Sequence, residues 1–187
     1  MGNKDSRSSL LAPMRLVFLM WLVFSIEQVT FDFGFLGILP RSLSGLIGIF
    51  AAPLIHGNVS HLMSNSVPVL FLGFLLYYFY PLIATRIFIQ CYLFTGFFVW
   101  LFGRPFYHIG ASGLVYGLAF FLVFLGIFKK DFKTILISIV VMVVYGGVVY
   151  NVLNISTEIS FESHLLGALV GIASAYTTNK YSRHYIG

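Results

Sequence analysis

Six apolar runs of about 20 residues organise this chain, at about 14–31, 61–80, 83–102, 107–128, 133–151 and 161–178. That is the length a helix needs to cross the roughly 30 Å hydrocarbon core of a bilayer. With 59% hydrophobic and only 9% charged residues, the chain has too little polar surface to wrap a water-soluble core. The expected fold is an all-α membrane protein: a bundle of six transmembrane helices over residues 14–178, with tails at 1–13 and 179–187. Pro68 lies inside the second run, where a membrane helix tolerates proline if neighbours satisfy the freed carbonyl.

The polar start MGNKDSRSS lacks the apolar core and cleavage site of a signal peptide and reads as a solvated tail. Met1-Gly2 with Ser6 fits a myristoylation pattern, which has consequence only in a eukaryotic cytosol. Cys91, the single cysteine, falls within the third run, which excludes an internal disulfide and makes it an apolar filler. No cluster has metal-ligand spacing, and no cofactor is implied.

Charge sets the expected orientation. With a cytoplasmic amino terminus, Lys4, Arg7, Arg15, Arg86, Lys129, Lys130, Lys133, Lys180 and Arg183 fall inside and only Arg41 and Arg104 outside, as the positive-inside rule requires. The net charge of +5 then reflects topology and contact with anionic lipid, and nothing suggests nucleic-acid binding. Runs two, four and six all enter from the outer face, so their first turns share one depth. Those turns carry the unusual residues: His61 and Asn65 in HGNVSHLMSN, Ser112 and Tyr116 in GASGLVYG, and His164 in ESHLLGALVG. Residues four apart share a helical face, and polar groups within a span tend to face the bundle interior, so three helices placing theirs at one level suggests a shared site.

Gly113 with Gly117, and Gly167 with Gly171, form GxxxG pairs beside the serine and the histidine. A serine side chain is short, so bringing its oxygen within about 2.6–3.2 Å of an imidazole nitrogen requires backbones that nearly touch, which paired small residues permit. Either pair taken alone reads as ordinary helix packing, and gains meaning beside Ser112 and His164. GASGL is not the G-x-S-x-G elbow of soluble hydrolases, since Leu114 stands where that motif needs glycine.

Across all six runs the chain resembles the rhomboid family of intramembrane serine proteases, through HGNVSHLMSN, GASG followed by a tyrosine, and HLLGALVG in that order. The resemblance implies a hydrated cavity open to the outside, with Ser112 as nucleophile and His164 as general base and acid in a dyad. It implies His61 and Asn65 as oxyanion donors beside the Ser112 N–H, Tyr116 stacked on the imidazole, and His56 bracing the first loop. Gly110 and Gly113 keep bulk away from the serine. Glu162, two residues before His164 and off its helical face, reads as a solvated loop charge.

The segment at about 32–60 is too broken by Gly and Pro for a span and too apolar for an aqueous loop, so it is expected to be partly submerged, like the first loop of rhomboids. The Trp-Arg pair often found there is absent, with Arg41 as a substitute. Residues 152–160 would cap the mouth. Gly146 and Gly147 weaken the fifth helix, which with the cap is expected to move aside and admit substrate from lipid. The implied partners are the bilayer and single-span membrane proteins cut near their outer ends, and the implied location is a bacterial plasma membrane with the active site outward. Two rival readings remain: a catalytically inactive rhomboid-like binding protein, and a small transporter, which would place ionisable groups at the midplane.

Overall fold

Backbone in lipid must close its own hydrogen bonds, and most of the described residues do so in helices. The computed structural model describes residues 11–150 and 160–182. Among them the long helices are α1 (Leu11–Glu27), α2 (Val59–Phe79), α3 (Pro81–Phe102), α4 (Ser112–Lys129), α5 (Phe132–Tyr150) and α6 (Phe161–Ser182). The expected cap loop, apart from Ser160, and most of both tails lie outside the described residues.

The six helices follow the six apolar runs, with α2, α3 and α4 each long and apolar enough to cross a membrane unaided. The described part of α1 has 17 residues, about 26 Å at 1.5 Å per residue. Helix α5 is interrupted at Tyr145, whose φ of −122° and ψ of 19° are not helical, and α6 ends in the polar stretch Tyr-Thr-Thr-Asn-Lys before Tyr181. Pro68 sits inside a continuous α2.

Helix α4 occupies the centre: every residue from Gly113 to Val123 is buried. A helix apolar all round has no face to give to water, so it ends up surrounded by its neighbours. The outer helices instead expose Phe18, Phe74, Leu82, Phe102 and Val143, side chains suited to a lipid-facing surface.

Helices α4 and α6 meet through their glycines. A Cβ on Gly167 would collide with the Gly113 carbonyl oxygen, and one on Gly171 with that of Gly117. Helix α5 packs closely on α4 near its start, where a Cβ on Gly126 would lie 2.7 Å from the Thr134 carbonyl, and more openly toward its end. It reaches α4 through Ser138 Oγ, which donates to the Val123 carbonyl at 3.0 Å, but a Cβ on Gly146 or Gly147 would meet nothing within 4 Å. Between α2 and α5, Lys133 Nζ donates to the Phe79 carbonyl at 2.6 Å, and Phe71 and Tyr145 rings lie 5.5 Å apart.

The fourth helix starts at Ser112, not at 107 as hydropathy predicts. His108 pairs with Ile38 in an antiparallel bridge, each N–H to the other's carbonyl at 2.9 Å, which holds the segment extended; Gly110 then turns the chain at a φ of +99°. The first loop folds back onto α3 through three 3-10 turns and the short helix Gly48–Ala51. Arg41 fastens it: its N–H bonds the Trp100 carbonyl at 2.9 Å and its Nη1 reaches the Gly103 carbonyl at 2.8 Å. Trp100 Nε1 returns a bond to the Ser42 carbonyl at 2.8 Å. The tryptophan that partners Arg41 therefore comes from α3, and the cation sits where helix-end carbonyls are unpaired.

Candidate active site

Helices α2, α4 and α6 all begin at one end of the bundle, and their first turns line a cavity of about 760 Å³. Its walls include His61, Asn65, Ser112, Tyr116 and His164. Helix α2 opens with Asn58 as N-cap, its Oδ1 accepting the His61 N–H at 2.8 Å, so His61 is fixed in the first turn and Asn65 lies one turn below it. Asn65 Nδ2 donates to the His61 carbonyl at 3.0 Å, which leaves its second N–H for another acceptor.

Ser112 is the first residue of α4, so its backbone N–H has no intrahelical partner and lies at the positive end of the helix dipole. Two residues earlier, Gly110 faces His61 so closely that an added Cβ would lie 2.6 Å from ring atoms Cε1 and Nε2, and 3.7 Å from Asn65 Nδ2. The His61 ring edge and the Asn65 amide therefore flank the backbone that leads into Ser112. On the other side, His164 stacks on Tyr116 with ring centroids 4.2 Å apart and planes 14° from parallel, a contact that sets the imidazole's tilt. The hydroxyl of Ser112 and the ring of His164 share the cavity, while among the described residues no hydrogen bond joins them. Such bonds are often long before substrate binds.

The remaining candidates stand behind this wall. Gly113 packs on Ser163, its Cβ position lying 3.2 Å from the Ser163 carbonyl, and Gly117 lies 3.5 Å by the same measure from the Gly167 carbonyl. His56 is buried, its Nδ1–H directed at the Leu54 carbonyl at 3.4 Å and its ring edge-on to His61 at 4.9 Å. Burial, aided by His61, pushes His56 down to about 4, so the ring is neutral at physiological pH. It therefore supports a residue of the cavity wall as well as ending the first loop.

Glu162 is not a solvated loop charge. It lies in the first turn of α6 with its side chain largely covered, and both carboxylate oxygens accept from Arg104: Oε1 from Nε, and Oε2 from Nη2 at 3.1 Å. Fifty-eight residues separate the partners, a distance that local pattern reading does not bridge. The pairing also occupies the carboxylate nearest His164 in sequence. Beside it, His108 Nδ1 is 2.7 Å from Ser160 Oγ, and Ser160 Oγ is 2.6 Å from Ser163 Oγ. Burial pushes His108 below the ordinary imidazole range. Sequence reading assigned no role to His108, Ser160 or Ser163; the one available signal was a histidine and an arginine in an otherwise apolar segment just before the serine.

The chain matches the Rhomboid domain over residues 43–181, which takes in α2 to α6 and every candidate site residue. It belongs to the rhomboid family. Its relatives include uncharacterized proteins of Mycobacterium tuberculosis and Mycobacterium bovis, each 34% identical over 182 residues, covering 90% of this chain and 73% of the relative. One from Mycobacterium leprae is 32% identical over 181 residues, covering 90% of this chain and 69% of the relative. This rhomboid is thus an all-helical membrane protein whose first-loop anchor, Arg41 with Trp100, and ion pair, Arg104 with Glu162, are read from its own structure.

Proposed function

We propose that this rhomboid is an intramembrane serine endopeptidase that cuts single-span membrane proteins near the outer end of their spans. The observation that carries the reading is that Ser112 and His164, from different helices, line one cavity together with His61 and Asn65. The family comprises intramembrane serine proteases together with members that have lost activity, and this chain retains both a serine and a histidine at the positions that matter.

In this reading Ser112 Oγ attacks the scissile carbonyl carbon while its proton passes to His164, giving a tetrahedral intermediate. The intermediate's oxyanion accepts hydrogen bonds from the Ser112 N–H, the free Asn65 N–H and the His61 ring. His164 then gives its proton to the leaving amine, and water releases the acyl group by the same steps in reverse. Glu162 takes no part as a third acid, because Arg104 occupies its carboxylate. Substrate must unwind locally before its carbonyl is exposed, since helical peptide bonds are already paired. The Tyr145 interruption and the open space around Gly146 and Gly147 support α5 as the element that moves to admit it. The charge distribution supports a plasma-membrane orientation with the amino terminus cytoplasmic and the cavity outward.

The test is cleavage of a transmembrane reporter by purified protein in liposomes, compared with Ser112→Ala and His164→Ala. The proposal expects cleavage by the wild type alone. Equal cleavage by all three would refute the dyad, and none by any across varied reporters would favour an inactive binding protein.

A further inference from the structure

Glycine faces let α4 and α6 approach until backbone meets backbone, and beside them Tyr116 and Phe120 pack on Ala168 and Ile172 while Tyr116 stacks on His164. Apolar and stacking contacts of this kind limit distance more sharply than they fix direction. Ser112 and His164 each sit at the first turn of one of these helices, so a small slip there would misalign the pair. Directional polar bonds at that end would hold the alignment more closely than the stack alone.

The segment that leads into α4 is tied to the start of α6 by two adjacent sets of bonds. Arg104 grips the Glu162 carboxylate with Nε and Nη2, and its backbone N–H lies 3.3 Å from Oε1. His108 supplies the second. Its Nε2 is 3.0 Å from the Arg104 carbonyl, which can only accept, so Nε2 carries the proton and Nδ1 of the neutral ring must be an acceptor. Ser160 Oγ–H therefore donates to Nδ1 at 2.7 Å, and the Ser163 hydroxyl donates in turn to Ser160 Oγ at 2.6 Å. Every proton in the chain has one consistent direction. His108 is itself fixed by its backbone pairing with Ile38, so the network also leads back to the first loop.

We propose that Arg104–Glu162 and His108–Ser160–Ser163 form a latch that sets the register of the serine segment against the histidine helix, making these five positioning residues for the reaction. The inference rests on the protease reading above. A residue that only stabilised the fold would lower the melting point without altering turnover by the folded enzyme. A positioning residue lowers kcat while leaving KM nearly unchanged, because misalignment by about 1 Å costs on the order of a hundredfold in rate.

The experiment measures kcat and KM on a transmembrane reporter, fluorophosphonate labelling rate and melting temperature for wild type, Glu162→Gln, Ser160→Ala, Glu162→Arg and the exchange Arg104→Glu with Glu162→Arg. Lys129→Ala, which breaks the exposed Lys129–Asp131 pair, is the control that leaves activity unchanged. Expected are kcat losses of about tenfold or more in Glu162→Gln and Ser160→Ala, labelling slowed in parallel, KM within about twofold, and partial recovery of kcat in the exchange over Glu162→Arg alone. If Glu162→Gln does not fold, Ser160→Ala carries the same test. Variants that melt earlier but turn over at the wild-type rate overturn the latch and leave the protease reading standing. A wild type that neither cuts nor labels overturns the protease reading, and the latch with it.

Discussion

Gly110→Ala is the perturbation that most sharply probes how the cavity wall is built. The residue has a φ of +99°, which an L side chain rarely adopts, so alanine costs roughly 1–3 kcal/mol in backbone strain. Its methyl would also lie 2.6 Å from His61 Cε1 and Nε2, where ordinary contact begins near 3.4 Å, so the ring must retreat by about 0.8 Å or the loop must shift. A displacement of that size in the proposed oxyanion donor is expected to lower kcat about a hundredfold, equivalent to about 2.7 kcal/mol in the barrier. The assay is reporter cleavage in liposomes alongside melting temperature, for Gly110→Ala, His61→Ala and the double variant. Because the methyl acts through His61, the two losses should fall well short of additive. Full additivity, or a folded Gly110→Ala that cleaves at the wild-type rate, would refute the reasoning.

Other consequences follow from the same geometry. Tyr116→Phe keeps the ring stacked on His164 and should retain cleavage within about threefold, whereas Tyr116→Ala should lose about tenfold or more; equal activities would remove the stacking role. Gly167→Ala places a methyl against the Gly113 carbonyl, which no rotamer change relieves, and should lower both melting temperature and cleavage, while Gly146→Ala, with open space around it, should raise stability by up to about 1 kcal/mol. Bridging cysteines at Phe71 and Tyr145 with a short bifunctional methanethiosulfonate, in a chain with Cys91→Ala, should block cleavage until the bridge is reduced; undiminished cleavage in the bridged form would exclude movement of α5 against α2. His56 is held neutral down to about pH 4 while its unfolded counterpart protonates near 6.5. Its contribution to stability is therefore present above pH 6.5 and is lost as pH falls toward 4, and His108 adds in the same direction. Melting temperature should drop across that window, less steeply in His56→Gln, and identical slopes would contradict the assignment.

What could be read from the chain divides by physical origin. Helix positions follow from hydropathy because a span must be long and apolar whatever it packs against, so all six fall within a few residues of their runs. The exceptions are places where a distant segment decides. Hydropathy extends the fourth helix back to 107, but the pairing of His108 with Ile38 holds that stretch open. The break at Tyr145 falls just before Gly146 and Gly147, whose poor helix propensity marks the stretch, although hydropathy alone runs through it unbroken. Within the site, polar residues at matched depth and the glycine pairs were visible because helical period and topology place them together. Glu162 was misread because its fate depends on Arg104, across two helices and a loop. Arg41 was seen only as a substitute for a missing pair, since its tryptophan partner, Trp100, belongs to α3.

The proposed function requires Ser112 to be a nucleophile activated by His164. Its most direct measurement is mass spectrometry of the intact protein and its peptides after treatment with a fluorophosphonate, which needs no knowledge of the substrate. A single adduct is expected on Ser112, disappearing in both Ser112→Ala and His164→Ala. An unlabelled wild type, an adduct on another residue, or undiminished labelling of Ser112 in His164→Ala would contradict it.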